Sequence, residues 1–209
     1  MSPRRTVVPF ILAGVIPAIA VALLLYLVLR PVPPPVDNTR APQDLKTLCL
    51  SGQIKWRPWS EIIIHHSATD RGNLESFDRY HREKRHWRCA GYHFVIGNGT
   101  LSDDGEIELG PRWYTQETGA HCPGHNRTAI GICVVGNFQK KNSQPSEAQM
   151  KSLIELTAYL AVRYRIHVNK IAFHDEMAKK PTDCPGKYFP KDAFRRRLAP
   201  VLNAYRPAE

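Results

Sequence analysis

The sequence predicts an α/β domain built on one central mixed β-sheet with helices on its flanks, preceded by an apolar N-terminal segment that forms a transmembrane helix. Three observations point there. Short apolar runs rich in β-branched residues alternate along the chain with longer amphipathic stretches, the pattern of strands interleaved with helices. The chain has 209 residues, room for one ordinary domain with extensions but not for two. Its 43% hydrophobic and 23% charged residues are globular proportions, which excludes a disordered or low-complexity chain.

In chain order, the first element is the run from Val7 to Leu29, almost wholly apolar and interrupted by Pro9, Gly14 and Pro17. About 23 such residues suffice to cross a bilayer. Arg4 and Arg5 precede the run, which favours a cytoplasmic N-terminus and export of the remainder. No A-x-A-like site follows Leu29, so an uncleaved signal anchor is expected rather than a signal peptide. Residues 1–6 are then a cytoplasmic stub, 7–29 the anchor, 30–44 a proline-rich extended spacer, 45–205 the folded domain and 206–209 a tail. The expected location is a single-pass membrane protein with its domain on the exported side, periplasmic or extracytoplasmic.

Within the domain, Glu61–His65 reads as an Ile-rich strand and Tyr92–Gly97 as a second. The turn signals Asn98-Gly99 and Asp104-Gly105 let Glu106–Leu109 pair back as a third, and Ile130–Val135 is a fourth apolar run. Asn73–His86 reads as a helix with Leu74, Phe77 and His81 at helical spacing. Ser146–Tyr164 is a stronger one. Ser146 and Gln149 form a capping box, and Met150, Leu153, Ile154, Thr157, Leu160, Ala161 and Tyr164 trace one face. A last helix covers Ala193–Tyr205.

The formal charge of +10 reads either as solvated surface or as attraction to anionic lipid or wall polymers, and the basic stretch Arg79–Arg88 admits the same two readings. No nucleic-acid-binding motif accompanies the charge, and no nucleic-acid partner is expected. Cys49, Cys89, Cys122, Cys133 and Cys184 are an odd set without a CxxC pair, not the framework of a disulfide-stapled protein.

Two clusters carry chemistry. His65-His66 ends the strand Ile62-Ile63-Ile64, and because adjacent strand residues face opposite ways, only one of the pair can enter a given site. His174 follows the apolar Ile171-Ala172-Phe173, and Cys184 stands ten residues on, before Pro185-Gly186. Two imidazoles and a thiolate would give zinc three protein ligands and leave the fourth position open, the mark of a catalytic rather than a structural site. Singly, a strand-end histidine is more often held under a loop, and a cysteine in a Pro-Gly turn is more often structural. A disulfide from Cys184 to Cys49 or Cys122 is the rival use of that thiol.

The segments IIIHHSAT (62–69), AGYHFVIGNG (90–99), GEIELG (105–110), GAHCPGHN (119–126), AIGICVVGNF (129–138) and HDEMAKKPTDCPG (174–186) resemble, in the same order, those of the type-2 N-acetylmuramoyl-L-alanine amidases. That superfamily includes phage lysozyme-type zinc amidases and peptidoglycan-recognition proteins, and the likeness extends over roughly residues 60–190. It implies a peptidoglycan-recognition-protein-like fold, with His65, His174 and Cys184 as Zn2+ ligands and His66 turned away. It places Tyr92 beside the metal to orient the reacting carbonyl. Thr182 stands where some branches carry lysine, and Cys133 where some carry a carboxylate. Asp175 and Asp183 are near the site in sequence and read as surface or capping carboxylates. His121, His125 and Asn126 lie in a loop resembling a substrate-groove segment, for glycan or stem peptide. His93 is expected to face away from Tyr92, and Trp87 and Trp113 either stack on sugars or fill the core. The activity implied is zinc-dependent hydrolysis of the amide between N-acetylmuramic acid and the L-alanine of the peptidoglycan stem, with peptidoglycan or muropeptides as substrate and the membrane contacted through the N-terminal helix. The alternative is a tethered peptidoglycan-recognition module that does not cut; such modules usually lack the cysteine ligand, and Cys184 is present.

Overall fold

The sheet is centred on β1 (Glu61–His66), whose apolar triplet Ile62, Ile63 and Ile64 is buried on both faces, as expected for a strand with parallel neighbours on either side. In the computed structural model, which describes residues 20–21, 37, 39–50 and 56–207, those neighbours are β4 (Ala129–Val134) and β5 (Ile171–Phe173). Beyond β4, β2 (Phe94–Ile96) is again parallel, and β3 (Ile107–Leu109) turns back antiparallel on β2. Among the described residues the five strands form one mixed sheet in the order β3-β2-β4-β1-β5. The expected anchor over 7–29 lies outside the described residues save for Ala20 and Val21, as does much of the spacer over 30–44. Among the described residues no helix is long and apolar enough to cross a membrane.

Alternation along the strands divides the interior. Ile62, Ile64, Phe94, Ile96, Ile130 and Ile132 face the main core, where they meet the long helices α4 (Glu147–Tyr164) and α6 (Lys191–Tyr205). Ile63 and Ala129, and Val95 with Cys133, face the other way into two smaller clusters. Through Ile63, the same alternation turns His65 to this thinner side, where the apolar cover is incomplete and a cleft can open.

Of the helices, α2 (Leu74–Arg85) starts where Asn73 accepts a hydrogen bond from the Ser76 N–H at 2.9 Å and ends at a left-handed His86, so the residues bounding the predicted helix are its caps. The Ser146–Gln149 capping box of α4 is present in both directions. Three pieces escape sequence periodicity because they are too short to show one: β5, with three residues, and α3 (Pro111–Tyr114) and α5 (His174–Met177), with four each. The eight-residue α1 (Gln43–Leu50) begins within the proline-rich stretch and buries Leu45 and Cys49. Further back in that stretch, Asp37 accepts from the Tyr159 hydroxyl at 2.7 Å, and the Arg40 N–H donates to the Tyr205 carbonyl at 2.8 Å.

Gln149 joins helix to sheet. Its side chain, 2% exposed, donates to the Val135 carbonyl at 2.8 Å while its carbonyl oxygen accepts from the Ser146 N–H at 3.2 Å. Gln149→Ala removes half the cap and a buried hydrogen bond, and is expected to cost about 2 kcal/mol. Urea unfolding checks this: the midpoint falls at an unchanged slope.

Candidate metal centre

Parallel pairing sets the site. Ile64 of β1 stands opposite Phe173 of β5, so the next residue of each strand, His65 and His174, leaves the same edge of the sheet at the same level. Their ring centroids are 4.4 Å apart. The turn carrying Cys184 is pinned from two sides: the Asp175 N–H donates to the Cys184 carbonyl at 2.9 Å, and the Tyr188 N–H to the Phe138 carbonyl at 2.8 Å. Between them Gly186, at φ +107°, lies so close to Phe138 that a Cβ would stand 2.4 Å from its carbonyl carbon. Only glycine fits that contact, which accounts for the Pro-Gly that follows the thiol.

The donor atoms of His65, His174 and Cys184 lie within 4.8 Å of one another. The His65 Nδ1 to Cys184 Sγ distance is 3.6 Å. Bonds of about 2.0 Å to nitrogen and about 2.3 Å to sulfur at a tetrahedral angle would put those two atoms roughly 3.5 Å apart. The Nδ1 of His174 is buried with no hydrogen-bond partner, a polar atom in want of a ligand. Burial holds the imidazoles of His65 and His174 below their ordinary range, so both carry free lone pairs at neutral pH. Burial pushes the Cys184 thiol up to about 12. A cation at this point would favour its thiolate, and the donor set and spacing fit zinc. His66 turns the opposite way, accepting the Phe138 N–H on its Nδ1 at 3.2 Å, and burial lowers its pKa to about 4.

The cleft over these residues encloses about 860 Å³. Tyr92 and Thr182 line it. The Tyr92 ring lies 5.5 Å from that of His65 and packs against the small cluster that contains Cys133. Burial raises the Tyr92 phenol well above its usual value, so it stays protonated and able to donate. Thr182 accepts from the Cys184 N–H at 3.3 Å, which holds its hydroxyl at the lip. Among the described lining residues Asp183 is the one carboxylate, whereas Asp175 is taken up by Lys191.

Phe77, Tyr80 and His81 of α2 form a wall, with Trp87 stacked on His81 at 4.8 Å and Arg71 and Arg85 adding positive charge. Phe77 and His81 are two of the residues whose helical spacing marks this helix in the sequence, and Tyr80 and Arg85, within the basic stretch Arg79–Arg88, complete the face that looks into the cleft. Trp113, by contrast, is core, its indole donating to the Cys49 carbonyl at 2.8 Å.

The loop over 119–126 divides. His121 lines the cleft as a largely buried side chain behind His65. His125 contacts Glu61 at 3.0 Å, at the far end of β1 from His65. Asn126 accepts from the His121 and Cys122 N–H groups at 2.9 and 2.8 Å. These last two hold the loop together and do not line the cleft. His93 is a buried strut, accepting the Gly131 N–H at 2.9 Å. All five cysteines are free thiols, and the one sulfur facing the histidine pair is that of Cys184.

The family model described as N-acetylmuramoyl-L-alanine amidase matches residues 55–187. The human N-acetylmuramoyl-L-alanine amidase is 30% identical over 139 residues, which are 62% of this chain and 23% of that protein. An endolysin of Klebsiella phage KP32 is 33% identical over 133 residues, 60% of this chain and 80% of the endolysin. Among solved structures, the endolysin N-acetylmuramoyl-L-alanine amidase LysCS from Clostridium intestinale URNW matches with a TM-score of 0.57 and 32% identity, covering 68% of this chain and 86% of that one.

With the thiol protonated and both imidazoles neutral before binding, each zinc ion taken up at pH 7 should displace about one proton. Calorimetric titrations in two buffers of different ionisation enthalpy measure it, and affinity should fall as pH falls because protons compete for the sulfur. Cys184→Ala should abolish the proton release.

Proposed function

The chain belongs to the N-acetylmuramoyl-L-alanine amidase family, and from that premise we propose that it is a zinc-dependent peptidoglycan amidase, held at a membrane by residues 7–29 with its domain on the exported side. The observation that carries the catalytic reading is the convergence of His65, His174 and Cys184 within 4.8 Å at the floor of an open cleft. The tether rests on the apolar run and on Arg4 and Arg5 ahead of it.

His65 through its Nδ1, His174 and Cys184 would hold a zinc ion, which would supply Lewis acidity and an activated water. The chain's own residues do the rest. The wall formed by Phe77, Tyr80 and Trp87 positions the substrate and excludes water from its amide. The protonated Tyr92 phenol donates to the carbonyl oxygen as negative charge develops there, and the Thr182 hydroxyl supplies a second, neutral donor. Asp183, at the lip, is the carboxylate within the cleft that can take up or return a proton as the peptide amine departs.

A second reading, recognition without cleavage, is favoured by Thr182 standing in place of a charged donor and by Cys133 in place of a carboxylate. The detergent-solubilised full chain incubated with purified peptidoglycan decides between them. Newly exposed L-alanine amino groups that disappear on chelation and in Cys184→Ala establish the amidase. Tyr92→Phe should lower kcat by about 10²-fold with zinc retained, and Thr182→Ala by roughly 10-fold. A folded, zinc-loaded protein that binds peptidoglycan and releases no amine is a recognition module.

A further inference from the structure

We propose that His121 is a positioning residue that sets the tautomer and orientation of His65 for metal binding, through a one-way hydrogen-bond chain anchored on the Ala129 carbonyl. The proposal rests on the zinc reading above and adds to it a residue that acts on the metal through His65.

The chain is read from its fixed end. The Ala129 carbonyl can only accept, and His121 Nε2 lies 3.3 Å from it. A neutral His121 therefore carries its proton on Nε2. Its Nδ1 is then a bare acceptor, 3.2 Å from His65 Nε2. That places the His65 proton on Nε2 and leaves the Nδ1 lone pair directed at the Cys184 sulfur, 3.6 Å away. One carbonyl oxygen thus decides, two imidazoles away, which nitrogen of His65 is free. The Coulomb and desolvation cost of the opposite arrangement is severe, because it would bury two N–H groups face to face or leave the carbonyl unpaired.

The fold reserves space for the ring. A Cβ on Gly119 would stand 2.4 Å from the His121 ring, and one on Gly131 2.5 Å from it. Both glycines leave bare backbone on either side of the imidazole, one in the loop and one in the middle of β4. A strand interior gains nothing else from glycine, which weakens it. The ring is 8% exposed and meets His65 edge-on, with centroids 5.1 Å apart.

The test uses the full chain in detergent, folding being checked by circular dichroism. His121→Phe fills the slot without an acceptor and should weaken zinc binding, measured by chelator competition, roughly 10–100-fold. His121→Gln, whose amide can accept from His65 and donate to Ala129, should restore most of it. In the metal-free protein at neutral pH, ¹⁵N correlation spectra should show His65 protonated at Nε2 alone, and a mixture of tautomers in His121→Phe. A merely structural role would leave the tautomer unchanged and would not be rescued by glutamine. The proposal is overturned if His65 carries its proton on Nδ1, or if folded His121→Phe binds zinc as the parent does. If the parent binds no zinc at all, the metal reading itself falls, whereas tight zinc binding without amide cleavage removes the enzyme reading and leaves this one standing.

Discussion

Where Ile64 pairs with Phe173, two strands running the same way end at one edge, and the residue after each is delivered to a single point. Everything chemical in the molecule depends on that register. A slip of one residue would turn His65 into the main core and present His66 to the cleft, because side chains alternate along a strand. The slip is opposed by Ile62 and Ile64, which the main core holds on one face, and by Ile63, which sits with Cys122 and Ala129 on the other. Hydrophobic sorting on β1 is thus also what places the donor set. No loop has to find its position independently except the turn at Cys184, and close contact with Phe138 fixes that one.

Burial then gives the site its electrical character. His65 and His174 are pressed toward neutrality and Cys184 toward its protonated form, so before any cation arrives the centre holds no formal charge from its three donors. The attraction for a divalent ion then has to be created as the ion binds, by loss of the Cys184 proton, which couples binding to pH. Tyr92 is held protonated by the same burial, so one feature of the environment equips both the ligands and the hydrogen-bond donor beside them.

Much of this was legible in the sequence, and the physical reason is period. The Ile-rich triplet, the turn dipeptides and the capping box at Ser146 are local signals, and each matched the element that formed. The choice between His65 and His66 needed only strand alternation once the resemblance had said which of them faces the metal. What the sequence hid was set by partners distant along the chain. β5 is too short to announce itself and exists because β1 offers it an edge. His121 was expected in the groove because its loop resembles a substrate-groove segment; it does line the cleft, and its place behind His65 depends on the bare backbone of Gly131, ten residues on. His125 and Asn126 share that polar loop, yet Glu61 and two backbone N–H groups claim them.

The three donors come from segments far apart in the chain, with His65 and Cys184 separated by 119 positions. An ion bound among them is therefore also a staple, closing a loop that takes in most of the domain. Such a closure removes conformational freedom chiefly from the unfolded chain, and it would stabilise the fold by an amount that grows with the logarithm of the free-ion level over the dissociation constant. Metal supply would then govern the lifetime of the protein as well as its chemistry. Without such an ion the turn around Cys184 would lose its tie to the sheet, and proteolysis would be expected to begin there.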